Sequence, residues 1–177
     1  MTTEWIDVKD YEGFYKIRIN EDNPWGCDIL SLKWHSRYGS IDRESLLNPW
    51  INRGGYYQVE LRVNKKRSCK YIHILIAEHY IPNPENKKFI DHKDTIRTNN
   101  KLDNLRWATK SENERNRNKR LNVSSKYKGV CWDKTKSKWI AYINSKYIGY
   151  YDNEIDASKA YDEKAIELFG EYAKTNF

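Results

Sequence analysis

Four residues near the middle of the 177-residue chain have side chains suited to cutting a phosphodiester bond: Asp91, His92, Asn104 and Asn113. Two extended segments joined by a loop would bring the first three together, and a following helix would add Asn113. A carboxylate and an amide oxygen suit Mg²⁺ when phosphate oxygens and water complete its octahedron. A neutral histidine beside them can take a proton from water near neutral pH. A metal ion and a base are sufficient for phosphodiester hydrolysis.

The sequence around these residues predicts the elements that would position them. Residues 72–80 are apolar on nearly all sides, which indicates a short buried helix, and Pro82 must end it. An extended segment at 89–92, a polar loop at 93–101 and a second strand at 102–107 follow. Ser111 or Thr109 can cap the next helix, which runs through Glu112, Asn113 and Asn116. Upstream, alternating apolar residues at 57–63 predict a strand.

From residue 127 the pattern is three short strands and a helix. Alternation in the second strand places Trp139, Ala141 and Ile143 on one face. The helix follows Asn153, and Gly170 stands where a C-terminal cap belongs. One face of the sheet is therefore covered by the helix. The other face is bare and carries cationic, aromatic and amide side chains, namely Lys128, Trp132, Lys138, Tyr142 and Asn144.

Composition and charge narrow the class of protein. The chain has a net charge of +7, with seven Trp and fourteen Tyr, which is far too aromatic for a disordered chain. Basic residues are concentrated between 110 and 140, as expected for a polyanion-binding surface, although most charge runs are simply solvated. The three cysteines are too scattered for a disulfide framework or a structural zinc site. We expect an intracellular, cytoplasmic protein without a signal peptide or membrane segment.

The central segments resemble the HNH motif of phage and intron homing endonucleases, in the subgroup whose last histidine is asparagine. The matching segments are IHILIA at 72–77, DHKD at 91–94, NN at 99–100, NLRWAT at 104–109 and EN at 112–113. The resemblance implies a ββα-metal nuclease core. The usual glycine after Asp94 is replaced by Thr95 and Ile96, which changes the turn but none of the four chemical positions.

The resemblance also assigns roles. It makes His92 the general base that activates water, and Asp91 and Asn113 the ligands of one Mg²⁺ ion, for which Mn²⁺ could substitute. Asn104 would brace the loop that holds His92. His73 also occupies a motif position; a structural or supporting role is favoured over direct catalysis.

Two further resemblances flank the nuclease motif. WIDV at 5–8 with YEGFY at 11–15 resembles the NUMOD4-like module that often precedes this nuclease. SKYKGVCW at 125–132, KWIA at 138–141, GYYD at 149–152, ASKAYD at 157–162 and the final NF resemble the AP2 DNA-binding domain. Candidate DNA contacts lie in this domain and in the basic segment before it: Arg115, Arg117, Lys119, Arg120, Lys128, Trp132, Lys138, Tyr142, Asn144 and Tyr147.

The sequence thus predicts an α+β chain of four parts. These are an N-terminal β-rich module at 1–70, the HNH core at 71–118, a basic linker at 119–126 and an AP2-like sheet packed on one helix at 127–177. The predicted function is a site-specific, Mg²⁺-dependent DNA endonuclease that acts on double-stranded DNA as a monomer. Two alternatives remain open: a DNA-binding regulator with an inactive nuclease core, and an HNH nuclease of low specificity.

Overall fold

The computed structural model describes residues 3–36, 39–116 and 124–177. The chain divides into two compact units, residues 1–108 and 109–177. Both combine strands and helices, so the fold is mixed α and β. No helix among the described residues is long and apolar enough to span a bilayer.

The first unit begins with a four-stranded antiparallel sheet in the order β1-β2-β3-β4. Its strands are β1 (Ile6–Asp7), β2 (Tyr15–Ile19), β3 (Cys27–Ser36) and β4 (Gly39–Leu46). Alternate residues of β2 are buried, as expected for a sheet with one face on a core. The turn before β3 contains Gly26, whose φ of +84° is a backbone conformation that favours glycine.

A second sheet and a helix follow. The sheet has the order β5-β6-β7, with β5 (Trp50–Ile51), β6 (Tyr57–Val63) and β7 (Lys66–Tyr71). The strand predicted at 57–63 is confirmed as β6. Helix α1 (Ile72–Tyr80) starts directly after β7, and the next residue, Ile81, is extended, which is the conformation favoured before Pro82. The predicted helix and its proline stop are therefore confirmed.

One hydrophobic core joins these elements. It contains Ile17 and Ile29 of the first sheet, Leu61 of the second, and Ile72 and Ile76 of α1, all at most 1% exposed. Residues that the sequence assigned to two separate modules therefore share one core. Burial of this continuous apolar surface is the main force that fixes the sheets and α1 against each other.

The last two strands of the first unit form an antiparallel pair, β8 (Phe89–His92) and β9 (Leu105–Ala108). The prediction of a strand over 102–107 was partly wrong, because Leu102–Asn104 forms a turn of 3₁₀ helix before β9 begins. The reason is that the backbone of Asn104 must turn to close the loop: Lys93 N donates to Asn104 O at 2.9 Å, and Asn104 N donates to Lys101 O.

The second unit starts with helix α2 (Lys110–Arg115). Of the two caps considered, Thr109 is the one used: its hydroxyl accepts from Glu112 N at 3.2 Å, while the Glu112 carboxylate accepts from Thr109 N at 2.6 Å. This reciprocal capping box satisfies amides that a short helix cannot pair internally.

A three-stranded antiparallel sheet and a long helix complete the second unit. The strands are β10 (Val130–Asp133), β11 (Lys138–Ile143) and β12 (Lys146–Tyr151), and the helix is α3 (Glu154–Phe169). Asn153 caps the start of α3 by accepting from Asp156 N, and Gly170 ends it with φ +52°, as predicted. Ala141 of the sheet packs against Ala157 of α3, which buries the interface completely at both residues.

Candidate active site

Asp91 and His92 are the last two residues of β8, next to the loop that connects β8 to β9. Asp91 lies opposite Arg106, and His92 lies opposite Leu105. Both side chains are buried, Asp91 at 3% and His92 at 6% exposure. A buried carboxylate next to a buried imidazole is energetically costly unless each has a specific partner.

Arg106 is the partner of Asp91. Its Nε and Nη2 donate to Asp91 Oδ2 at 2.9 and 2.7 Å. Two charge-assisted hydrogen bonds hold the buried carboxylate in place and balance its charge. Sequence reasoning included Arg106 in the motif but gave it no role; the antiparallel register explains the contact, because directly opposite residues are neighbours in space.

His92 is oriented by Asn100, which sequence reasoning did not select as a site residue. Asn100 is 1% exposed, and its Oδ1 lies 3.0 Å from His92 Nε2. An amide oxygen accepts, so this contact favours the tautomer with the proton on Nε2 and leaves Nδ1 as the basic nitrogen. Burial lowers the pKa of His92, and the hydrogen bond to Asn100 opposes part of that decrease. The imidazole is therefore neutral at neutral pH.

His73 lies against His92 in an aromatic cluster. Its ring centroid is 5.1 Å from that of His92, 5.1 Å from that of Tyr56 and 5.4 Å from that of Tyr71. Burial, and secondarily His92, lowers the pKa of His73 to about 3. Among the described residues its Nδ1 finds no hydrogen-bond partner. A ring that stays neutral and packs edge-on against His92 limits the rotation of the imidazole; the role of His73 remains a prediction.

Asp94 and Asn104 close the loop between the two strands. Asn104 Nδ2 donates to Asp94 Oδ1 at 3.0 Å and to Asn99 O at 2.7 Å, and its Oδ1 accepts from Asp94 N. Thr95 has φ +67°, at the place where the family resemblance expects glycine. These contacts describe how Asn104 can brace the loop, while its importance for cleavage remains a prediction.

The donor set suits a hard cation that keeps most of its water. Among the described residues, no three His, Cys, Asp or Glu side chains come together as a metal site. Mg²⁺ needs no such cluster, because one or two protein oxygens with phosphate and water complete its coordination. Asp91 supplies a fixed, buried carboxylate of this kind. Asn113 lies on α2 in the second unit, so its place beside Asp91 remains a prediction.

The open face of the second unit differs from the predicted one at two positions. Trp132 pairs with Trp139, and their ring centroids are 5.1 Å apart. Because directly opposite residues share a face, Trp132 lies on the helix side of the sheet with Trp139, and its placement on the bare face was wrong. Asn144 lies in the β11–β12 turn with φ +49°, followed by Ser145 at +61°, so it serves the hairpin rather than the strand face.

The residues that do occupy the open face form a tyrosine cluster. The ring centroids of Tyr142 and Tyr147 are 6.4 Å apart, and those of Tyr147 and Tyr150 are 5.3 Å apart. Lys138 lies on the same face as Tyr142 and forms an ion pair with exposed Asp152 at 3.1 Å. Tyr150 was missed by sequence reasoning; its pairing with Ile140 in the sheet shows that it lies on this face. A bulge between Ala141 and Tyr142 shifts the register here.

Lys128 is part of the fold rather than of the bare face. Its Nζ donates to the carbonyl oxygen of Arg115 at the end of α2, and its backbone N donates to Asn176 Oδ1 at 2.6 Å. The Arg115 guanidinium lies 4.5 Å from the centroid of the Phe169 ring. The two basic side chains thus hold α2 against the C-terminal sheet and helix. The predicted contacts Arg117, Lys119 and Arg120 lie outside the described residues.

A family model described as HNH endonuclease matches residues 70–115. DNA endonuclease I-HmuI of Bacillus phage SP01 is 32% identical over 123 residues, which cover 68% of this chain and 62% of that protein. An uncharacterized HNH endonuclease of Acanthamoeba polyphaga mimivirus is 31% identical over 142 residues, which cover 77% of this chain and 72% of the relative. A structure of I-HmuI described as showing DNA binding and cleavage has a TM-score of 0.48 and 31% identity, over 64% of this chain and 57% of that one.

The chain belongs to the HNH endonuclease family. Its matched segment contains the paired strands with Asp91 and His92 and the helix with Asn113. The chain spans 62% of the length of I-HmuI and about a fifth of two further mimivirus relatives.

Proposed function

We propose that the protein is a DNA endonuclease of the homing type that hydrolyses phosphodiester bonds at specific sites. The observation that carries the proposal is the buried pair Asp91 and His92, each fixed by a separate partner within the segment that matches the HNH family. Core positions are usually filled by apolar side chains, so two adjacent buried ionisable groups, each with its own polar partner, favour a functional site over packing alone.

In this proposal His92 is the general base. Its Nε2–H donates to Asn100, and Nδ1 takes the proton from the water that attacks the phosphorus atom. Burial keeps the imidazole neutral and hence able to accept that proton. Family membership and the nuclease names of the relatives support nuclease activity, within which His92 is the base that we propose.

Asp91 and Asn113 would hold one divalent cation, Mg²⁺ or in its place Mn²⁺. When bound, the cation supplies positive charge to the scissile phosphate and the leaving 3′ oxygen. Arg106 keeps the Asp91 carboxylate oriented for this task. Asn104 braces the loop before β9 through Asp94, and His73 restrains the His92 ring by packing.

The second unit would read double-stranded DNA as an AP2-like domain. Its open face carries Tyr142, Tyr147 and Lys138, and the basic residues between 110 and 140 would contact phosphates. The N-terminal sheet would correspond to the NUMOD4-like module. We propose that the protein acts inside the cell as a monomer on its DNA site, since one site of this kind is visible in the sequence.

The test is a cleavage assay on supercoiled plasmids that carry segments of the genome encoding the protein. With Mg²⁺ we expect nicked or linear product at a defined position, and with EDTA we expect none although DNA is still bound. Binding without cleavage in Mg²⁺ and in Mn²⁺ would contradict the proposal and favour a DNA-binding regulator. Cleavage at many unrelated positions would favour a nuclease of low specificity.

A further inference from the structure

The turn that leads into β3 touches the loop that orients His92. A Cβ atom on Gly26 would lie 2.7 Å from the carbonyl oxygen of Asn100 and 3.1 Å from its carbonyl carbon. The turn is stabilised by its own backbone hydrogen bonds, in which Gly26 N donates to Asn23 O and Asn20 N donates to Gly26 O. A glycine is therefore required both for the positive φ and for the close approach.

Asn100 connects this turn to the base. Its backbone faces Gly26, and its side-chain oxygen faces His92 Nε2 at 3.0 Å. The residue is 1% exposed, and its Nδ2 finds no hydrogen-bond partner among the described residues. The hydrogen bond to His92 is thus the polar contact that explains why an amide, and not an apolar side chain, occupies this buried place.

We propose that Gly26 and Asn100 are positioning residues that fix the ring of His92 with its proton on Nε2. The N-terminal sheet then helps to position the base, because the turn before β3 contacts the Asn100 backbone. This inference rests on the proposed function of His92 and extends it to Gly26, which lies about seventy positions away in the sequence.

The physical expectation is a loss of rate without a loss of DNA affinity. An added methyl group at position 26 must displace the Asn100 backbone, because a Cβ essentially never approaches a carbonyl oxygen to 2.7 Å. A displacement of a catalytic group by about 1 Å can cost on the order of 100-fold in rate. We therefore expect Gly26→Ala to lower the single-turnover cleavage rate by roughly 10- to 100-fold.

The chain provides a matched control at Gly13. That glycine has φ +70°, close to the +84° of Gly26, but a Cβ there would meet nothing within 4 Å. Gly13→Ala therefore carries a similar backbone cost without the contact to Asn100. We expect its cleavage rate and its DNA dissociation constant to match those of the wild type. Equal rates for the Gly26 and Gly13 variants would overturn the proposal.

A double-variant cycle separates positioning from general loosening of the fold. In an Asn100→Ala background, Gly26→Ala should lower the cleavage rate little further, because the group through which it acts is gone. Fully additive losses would overturn the proposal. If Gly26→Ala does not fold, the comparison of Asn100→Asp with Asn100→Leu decides, since only the aspartate keeps an acceptor for Nε2–H and should retain more activity.

A spectroscopic measurement makes the test independent of cleavage. Imidazole ¹⁵N chemical shifts should show His92 as the Nε2–H tautomer in the wild-type protein and as a mixture in Asn100→Leu. If the wild-type protein cuts no DNA but the tautomer still differs between wild type and Asn100→Leu, the proposed function is refuted and the positioning role of Asn100 is retained. An unchanged tautomer would refute the positioning even if cleavage is observed.

Discussion

At the scale of single residues, the loop after His92 depends on the carboxylate of Asp94. It accepts from Asn99 Nδ2 at 2.6 Å, from Ile96 N at 2.8 Å and from Asn104 Nδ2 at 3.0 Å. Burial raises the pKa of Asp94, but these three donors outweigh that effect and bring it below its ordinary value of 3.8. The loop is thus stabilised by the ionised form.

We predict that Asp94→Ala lowers the free energy of unfolding by about 1–3 kcal/mol at neutral pH. A carboxyl group with a depressed folded pKa contributes stability above its unfolded pKa and loses it as the pH falls through the folded pKa. The difference between wild type and variant should therefore be constant above about pH 5 and shrink as the pH falls below that value. Urea unfolding at several pH values measures this, with exposed Asp103→Ala as the control. A difference that persists undiminished at low pH would contradict the account.

The site residues differ in how far sequence could reveal them. Asp91, His92, Asn104 and Asn113 could be named as candidates because their types and spacing carry chemistry, and because the motif is local. The role of Asn100 could have been suspected from the motif pair at 99–100, but its target could not. Gly26 gives no such signal, because its contact joins segments that are distant in the chain and depends on how the two sheets share a core.

At the scale of elements, helix α2 is held at its C-terminal end by Lys128. The ammonium group donates to the last carbonyl of the helix. A positive charge at this end also interacts favourably with the helix dipole. Burial lowers the pKa of Lys128, with Lys174 as a smaller cause. Since α2 has six residues and carries Asn113, its stability depends on such tertiary contacts.

We predict that Lys128→Met destabilises α2 by about 1 kcal/mol, which corresponds to roughly fivefold faster amide exchange at Asn113 and Asn116. The methionine keeps most of the apolar stem but cannot donate to Arg115. Lys138→Met is the matched control, because Lys138 pairs at the surface with an exposed carboxylate. Hydrogen exchange read by NMR distinguishes the two variants. Equal exchange rates at α2 in both would contradict the role given to Lys128.

The elements themselves were largely predictable. Helices α1, α2 and α3 start or end at proline, threonine, asparagine and glycine residues whose local chemistry is strong. The face of the sheet on which Trp132 lies was not predictable, since alternation within one strand does not give the register against the neighbouring strand. The 3₁₀ turn at Leu102–Asn104 was missed because its cause is a hydrogen bond to Lys93 across the loop.

At the scale of the whole molecule, binding and cleavage should depend on different parts of the chain. In the proposed function, the net charge of +7 and the basic residues between 110 and 140 would supply phosphate contacts that are spread over many side chains. Proton transfer, in contrast, depends on the single imidazole of His92. A substitution at that ring should therefore affect rate and affinity very differently.

The most direct test of this account is the single-turnover cleavage rate of His92→Ala at saturating protein and with Mg²⁺ present. We predict a rate lower by a factor on the order of 10² to 10⁴, the usual contribution of a general base. The DNA dissociation constant and its salt dependence should stay within about twofold of the wild type, since no phosphate contact is removed. A His92→Ala protein that cuts DNA at the wild-type rate would contradict the central claim.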